Sequence, residues 1–286
     1  MMTRLRSTIA AAALLLALPC IAHAATPEEE SCDLIAAHPL DRDKPASVKG
    51  TYNIPRKDLE AGLTACKAAA SKADANRRFA FELGRVHEFA GANAAAAENY
   101  LIASKAGSTS AMVGLGMLHM HGRGVKEDKA EARNWFEKAA NDGDVIAMTN
   151  LGSVYGGAMG VRQDFAKSRA WFEKAAKLNY GEAIYQLGLM AQDGDGGKKD
   201  PKAAKAWFEK AAALEHADAL FILGKYAEQG KVGPRDQKAA IDYYRKAAAL
   251  GDRDAENALK RLRCPFALTD KDGNQAGAIC FDGGGK

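Results

Sequence analysis

Apolar and polar positions repeat along residues 109–252 with a fixed period of 36 residues. The hexapeptide WFEKAA occurs at 135–140, 171–176 and 207–212, and the related YYRKAA occurs at 243–248. Leucine–glycine pairs keep the same spacing, at 115–116, 151–152, 187–188 and 223–224. A sequence period of this size predicts stacked repeats, each of which buries its apolar face against its neighbours.

Each unit is predicted to hold two helices joined by a glycine-bearing loop. An aspartate follows every loop and suits a helix N-cap, because its side chain accepts hydrogen bonds from otherwise unpaired backbone N–H groups: Asp128, Asp164, Asp200 and Asp236. The second helix is predicted to end in a left-handed cap, although Glu215 departs from the usual glycine or asparagine: Gly143, Asn179, Glu215 and Gly251. The complete units are 109–144, 145–180, 181–216 and 217–252.

A degenerate copy of the unit precedes these four repeats at residues 75–108. Leu83-Gly84 opens it, and Gly107 lies 36 residues before Gly143, but its loop is four residues shorter. After residue 252 the helical spacing continues for one capping helix, 253–262. The ends of a repeat stack must cover an apolar face that an internal repeat shares with its neighbour, so caps are expected on both sides.

Residues 25–74 are predicted to form the N-terminal cap. A helix is expected over 55–71, where Leu59, Leu63 and Cys66 fall on one face. A short helical piece around Cys32 precedes it, and we expect Cys32 to form a disulfide with Cys66. Closing a loop of this length contributes about 3–4 kcal/mol in the chain-entropy model.

The last segment, 263–286, alternates with a period of two and is predicted to form a small β-hairpin. Pairing Cys264 with Cys280 places Phe266 opposite Ala278 and leaves 271–273 as a glycine-containing loop. We therefore expect a disulfide-closed hairpin that caps the last helix.

The first 24 residues predict a secretory signal peptide. Arg4 and Arg6 precede an apolar stretch that is too short to span a bilayer, and Ala22-His23-Ala24 suits cleavage before Ala25. Beyond Cys20 four cysteines remain, an even number that suits disulfides in an exported chain. A zinc site is the alternative, but the chain has no C-x-x-C pair. The expected location is the periplasm.

Charge argues against nucleic acid as a partner. The formal net charge is +4, and removal of Arg4 and Arg6 leaves about +2. Lysine and glutamate are interspersed and form no basic stripe of the kind that binds phosphates. We expect a monomer with no stable membrane insertion after cleavage.

Each unit contains, in this order, A-x-x-x-L-G, a glycine-rich loop, an aspartate and W-F/Y-x-K-A-A. This order of motifs resembles the Sel1-like repeat, a branch of the tetratricopeptide-like superfamily. The resemblance covers 75–262. It implies an all-α, right-handed superhelical solenoid of α/α repeats whose first helices line a concave surface, and adaptor or regulatory work through protein binding. Some cysteine-rich members bind β-lactams, but they place a cysteine pair in every repeat, whereas the repeats here contain no cysteine.

By analogy with tetratricopeptide units, the groove-facing positions lie two residues before and two residues after the shared leucine. The first row is Phe81, Val113, Thr149, Tyr185 and Phe221. The second row is Arg85, Met117, Ser153, Leu189 and Lys225. Aromatic and apolar side chains in a groove suit an extended peptide or a helix. Alternatively, these residues pack between neighbouring first helices, and the glycine loops at 193–199 and 229–235 bind the partner.

The expected function is a non-enzymatic periplasmic adaptor that binds a protein or peptide in the concave groove. The sequence contains no candidate catalytic constellation, metal site or cofactor motif, because its carboxylates and tryptophans recur with the repeat. Two alternatives remain open. One is a regulator that docks on the periplasmic domain of a membrane sensor kinase, and the other is a cell-wall or β-lactam-hydrolysing enzyme.

Overall fold

The computed structural model describes residues 25–72, 76–157, 159–263, 266–269 and 275–279. The predicted signal peptide, residues 1–24, and the predicted pair Cys264–Cys280 lie outside the described residues. Side chains are described up to residue 262, apart from the gaps at 73–75 and 158.

Two helices form the N-terminal cap. Helix α1 spans Pro27–Ala36, and α2 spans Leu59–Ala70 after one 3-10 turn at Arg56–Asp58. Cys32 and Cys66 are fully buried and form a disulfide with Cα atoms 4.8 Å apart. The predicted helix and the predicted disulfide are both confirmed.

Five helix pairs follow, each made of a first and a second helix, and a single helix ends the stack. The first helices are α3 (Arg77–Phe89), α5 (Thr109–His121), α7 (Val145–Gly156), α9 (Gly181–Asp193) and α11 (Ala217–Gln229). The second helices are α4 (Asn93–Lys105), α6 (Lys129–Asn141), α8 (Phe165–Ala176), α10 (Pro201–Ala212) and α12 (Gln237–Ala249), and α13 is Arg253–Arg263. Each helix from α3 to α13 packs against the next along the chain, so the fold is the all-α solenoid that the repeats predict.

The helix caps explain why the units begin and end where they do. The carboxylates of Asp128, Asp164, Asp200 and Asp236 accept hydrogen bonds from N–H groups in the first turns of α6, α8, α10 and α12. All four predicted end residues have left-handed backbone, with φ of 88°, 58°, 58° and 91° for Gly143, Asn179, Glu215 and Gly251. Asn179 and Glu215 adopt this conformation although both carry a Cβ, and they are the two non-glycine residues with positive φ in the described part of the chain.

The glycine of each leucine–glycine pair makes room for an aromatic ring of the second helix. A Cβ built at Gly152 would lie 2.5 Å from the ring of Phe172, and the same holds for Gly188 and Phe208. Phe172 and Phe208 are buried, so the shared glycine and the shared aromatic residue form one packing unit. A side chain larger than hydrogen at the glycine would displace the ring.

The C-terminal hairpin forms, but in a different register from the predicted one. Strands β1 (Phe266–Thr269) and β2 (Gln275–Ile279) are antiparallel, with Phe266 opposite Ile279 rather than Ala278. The register shifts between Leu268 and Thr269, and Thr269 pairs with Gln275 as the prediction requires. The irregularity adds one residue to one side, which alternation alone does not reveal.

None of the helices in the described part of the chain combines the length and the apolar character that crossing a membrane requires.

Candidate functional site

Of the five residues in the first row of the predicted groove, three are buried and two are half-buried. Phe81, Val113 and Thr149, on α3, α5 and α7, are at most 9% exposed. These three predictions are wrong as surface contacts, because the side chains pack between neighbouring helices, the alternative that the sequence left open. Tyr185 on α9 and Phe221 on α11 are half-buried and keep ring surface available to a partner.

Arg85 of the second row is also buried, and it holds the chain's own N-terminal segment. Its guanidinium donates to the backbone carbonyl of Ala36 and to those of Thr51 and Tyr52, at 2.7 and 3.1 Å. Burial lowers the pKa of Arg85 because it removes water from the charged form. The predicted role of Arg85 as a partner contact is therefore corrected to an internal anchor.

Residues 37–53, which we call the strap, cross the edge of the first repeats. Arg42 Nη1 donates to the carbonyl of Asp142 at the end of α6, over 2.7 Å. Ser110 at the start of α5 donates to Asp41, over 3.0 Å, and Asp43 pairs with Arg77, over 2.6 Å. The strap thus binds Arg85, which the sequence assigned to a partner, and contacts the ends of α3, α5 and α6 near their turns.

The surface beyond the strap carries the remaining predicted residues. We call the surface of α9 and α11 with Tyr185, Leu189, Phe221 and Lys225 the open groove; Leu189 is half-buried and Lys225 is exposed. Met117 on α5 and Ser153 on α7, the other members of the second row, are half-buried as well. Both predicted rows therefore keep accessible side chains in the last two repeats, whereas in the first repeats only Met117 and Ser153 do.

Tyr185 packs against two aromatic rings and lies near several carboxylate groups. Its ring stacks on His216 with centroids 4.7 Å apart and lies 5.7 Å from Phe208. His216 Nε2 lies 3.0 Å from a carboxylate oxygen of Glu182. Burial first, and then the charges of Asp218, Glu182 and Asp252, raise the pKa of Tyr185 to about 12. The phenol is therefore neutral at physiological pH and can donate a hydrogen bond.

Phe221 occupies the equivalent position one repeat later. Its ring lies 5.6 Å from Tyr244, and the ammonium group of Lys225 lies 5.6 Å from its centroid. Lys225 is exposed, so this cation–π contact leaves the ammonium group available to solvent or to a partner. Tyr185 and Phe221 therefore present two aromatic surfaces on neighbouring first helices.

The sequence interpretation missed a row of carboxylates, two of which, Glu182 and Asp218, lie near Tyr185. Glu182, Asp218 and Asp254 recur every 36 residues at the second position of α9, α11 and α13. This period is visible in the sequence, so the signal existed. It was overlooked because Ser110 and Ile146 occupy the position in the two preceding repeats.

One side-chain cluster in the described residues has the composition of a metal site. The ligand atoms of Cys32, Cys66 and Glu82 lie within 4.8 Å of one another and are buried. The two sulfur atoms are bonded to each other, however, and a disulfide offers no thiolate to a metal. The cluster is part of the N-terminal cap.

Comparison with known proteins agrees with this architecture. A crystal structure of a Sel1 repeat protein from Oxalobacter formigenes matches 72% of this chain and 89% of its own, at 28% identity and a TM-score of 0.63. The structure of c5321, a protective antigen of uropathogenic Escherichia coli with an SLR fold, matches 73% of this chain and 45% of its own, at 28% identity and a TM-score of 0.56. No curated protein matches the sequence.

The family model of the Sel1 repeat matches four consecutive segments, 109–144, 145–180, 181–216 and 217–252, which together make up half of the chain. These segments coincide with the four complete units defined by the 36-residue period. The chain belongs to the Sel1 repeat family.

Proposed function

We propose that the protein is an exported, periplasmic, non-enzymatic adaptor that binds a partner protein through the open groove. Sel1 repeat proteins are generally protein-interaction scaffolds and are typically not enzymes. The observation that carries the proposal is the pair Tyr185 and Phe221, half-buried aromatic rings at equivalent positions of α9 and α11. Export rests on the predicted signal peptide and agrees with the disulfide between Cys32 and Cys66.

Aromatic rings that are already held in one orientation make efficient anchors. A ring fixed by its neighbours loses little conformational freedom when a partner covers its exposed part. Tyr185 is fixed by His216 and Phe208, and Phe221 by Tyr244. Nothing in the shared repeat motif requires an aromatic residue here, since valine and threonine occupy the position in α5 and α7. The aromatic pair is therefore a property of this chain's surface rather than of the repeat.

The experiment compares partner capture and thermal stability in matched variants of the mature protein. Tyr185→Ala and Phe221→Ala should each weaken binding by about 2 kcal/mol, as loss of an aromatic anchor does. Leu187→Ala, which removes a fully buried side chain, should instead destabilise the fold by about 2–5 kcal/mol. Ile102→Ala, at a 60% exposed position on α4, serves as the control for loss of surface apolar area.

Two outcomes would contradict the proposal. If Tyr185→Ala and Phe221→Ala lower the melting temperature as far as Leu187→Ala, the rings belong to the core. If they change neither melting nor capture, the partner binds elsewhere, and the loops at 193–199 and 229–235 are the next surfaces to test.

A further inference from the structure

The second helices end at equivalent carbonyl groups, and an arginine covers the first two of them. Arg77 Nη1 donates to the carbonyl of Ala106 over 2.9 Å, and Arg42 Nη1 donates to that of Asp142 over 2.7 Å. A helix C-terminus carries partial negative charge on carbonyl oxygens that have no partner within the helix. A guanidinium is therefore a favourable neighbour for this end of a repeat.

The next three equivalent residues are Leu178, Leu214 and Leu250, each 36 residues after the last. No hydrogen bond within the described residues reaches their carbonyl oxygens. Their side chains are 54%, 44% and 45% exposed, so each leaves apolar surface in contact with solvent. Each of these repeats thus presents an open carbonyl group next to an exposed apolar side chain.

Negative charge accumulates along the same turns. We call the turns 177–182, 213–218 and 249–254 the turn edge; they carry five carboxylates against two permanently charged basic residues, Lys177 and Arg253, and His216, which pairs with Glu182. Asp218 and Asp254 are exposed, and no hydrogen bond or ion pair within the described residues involves either carboxylate. In the first repeats the strap supplies Asp41 and Asp43 at this edge and covers it at the same time.

We propose that an arginine-bearing extended segment of the partner protein docks along the turn edge, as the strap does at the turn after α6, where its Arg42 donates to the carbonyl of Asp142. The proposal rests on the proposed function and names the chemistry of its partner. Each guanidinium would meet an open carbonyl and a carboxylate, and its aliphatic stem would cover an exposed leucine. Charge complementarity favours this occupant over nucleic acid or an anionic membrane surface, which the carboxylates repel.

The spacing of the repeats sets the spacing of the arginines. Equivalent second helices of neighbouring repeats are separated by a first helix, so their carbonyl ends are expected between one and two interhelical distances apart, roughly 10–20 Å. Three residues of extended chain cover about 10 Å. An arginine at every third position of an extended segment therefore offers guanidinium groups at intervals that span this range, and the segment passes next to Tyr185, which Glu182 and Asp218 approach.

The test uses a fluorescent peptide with arginine at every third position and serine between, and fluorescence anisotropy with the mature protein. Binding should weaken as salt concentration rises, because the contacts are ionic. The double variant Asp218→Asn/Asp254→Asn should weaken binding about tenfold, since two of the carboxylates that would pair with guanidinium groups lose their charge. The matched control Glu98→Gln/Asp242→Asn removes the same charge from exposed positions of second helices and should bind as the wild type does.

The outcomes separate this proposal from the proposed function. Absence of peptide binding, or equal binding by the two double variants, overturns the proposal that an arginine-bearing segment docks along the turn edge. If a partner loses affinity for Tyr185→Ala and Phe221→Ala but binds Asp218→Asn/Asp254→Asn as it binds the wild type, the proposed function stands and the proposal of an arginine-bearing segment is overturned. Concentration-dependent self-association that Asp218→Asn/Asp254→Asn abolishes would make a second copy of the chain the occupant, which contradicts the proposal as well.

Discussion

Glu82 is a buried carboxylic acid next to the N-terminal disulfide. Its side chain is fully enclosed, and its Oε2 lies 3.0 Å from Sγ of Cys32. Burial, and then the negative charge of Asp33, raise its pKa to about 9. The group is therefore protonated in the folded protein at neutral pH, whereas in the unfolded chain it ionises near its ordinary pKa of about 4.3.

Replacing Glu82 with glutamine should flatten the pH dependence of stability between about pH 5 and 9. Because the folded state holds a proton that the unfolded state releases, this group's stabilising effect is complete below its unfolded pKa and is lost as pH rises toward 9. The slope cannot exceed about 1.4 kcal/mol per pH unit. Denaturant unfolding of wild type and Glu82→Gln at pH 6, 7 and 8 measures the difference.

His38 offers an internal control for this measurement. Burial, with Arg85 nearby, lowers its pKa to about 4, so its contribution is complete above pH 6.5 and is lost only as pH falls. The range from pH 7 to 8.5 therefore reports Glu82 without His38. Parallel stability curves for Glu82→Gln and wild type across that range would show that the carboxyl group is ionised and otherwise stabilised.

The aspartate caps could be predicted from the sequence, whereas Glu82 could not. A cap depends on residues within three positions of itself, so its signal is local and recurs with the repeat. The position of Glu82 holds Gly114, Asn150, Gln186 and Ile222 in the later repeats, so the period carries no information about it. Its burial comes from the packing of α1 and α2, which lie outside the repeat.

At the scale of elements, the strap is the segment that the repeat period does not predict. It has no regular helix or strand and is held by the guanidinium of Arg85 and by contacts of Arg42, Asp41 and Asp43. These contacts join side chains to backbone carbonyl groups and carboxylates that are distant in sequence. No periodic pattern encodes such contacts, which is why the groove was predicted to extend over α3.

Arg85→Met should release the strap while leaving the helix stack folded. Methionine fills the apolar part of the site but donates no hydrogen bond, so three carbonyl groups lose their partner, at a cost of about 2–4 kcal/mol. Trypsin should then cleave faster after Arg42 and Lys49, whereas the Lys44–Pro45 bond should stay resistant because trypsin does not cleave before proline. Limited proteolysis followed by intact-mass measurement detects these sites.

Arg85→Lys is the matched control, because it keeps the charge but has no planar fork of donors. We expect an intermediate rate of cleavage. Unchanged cleavage in Arg85→Met, at equal helical content, would mean that the remaining contacts of the strap suffice and that Arg85 does not anchor it.

At the scale of the whole molecule, the stability of each repeat depends mainly on its contacts with the repeats on either side of it. The period of 36, together with the shared glycine and aromatic positions, was enough to predict the four complete repeats, the degenerate copy and the last helix. The register of the hairpin, which depends on an irregularity between Leu268 and Thr269, was not predicted. Features that recur could be predicted from the period; at the ends of the stack the disulfide between Cys32 and Cys66 was predicted as well, but the contacts of the strap and the register of the hairpin were not.

Removal of the disulfide between Cys32 and Cys66 tests how far a loss of stability at one end of the stack extends towards its other repeats. Cys32→Ala/Cys66→Ala removes a link between residues 34 apart in sequence, which constrains the unfolded chain by about 3–4 kcal/mol. Each helix contacts mainly its neighbours along the chain, so loss of protection should decrease from α1 and α2 through α3. Hydrogen exchange should show little change in α9 and α11, and binding through the open groove should persist.

Leu223→Ala, at a buried position of α11, is the converse variant and should loosen the last repeats first. Equal loss of protection in α2 and α11 in both variants would mean that the stack unfolds as one cooperative unit, and nearest-neighbour stability would then be wrong.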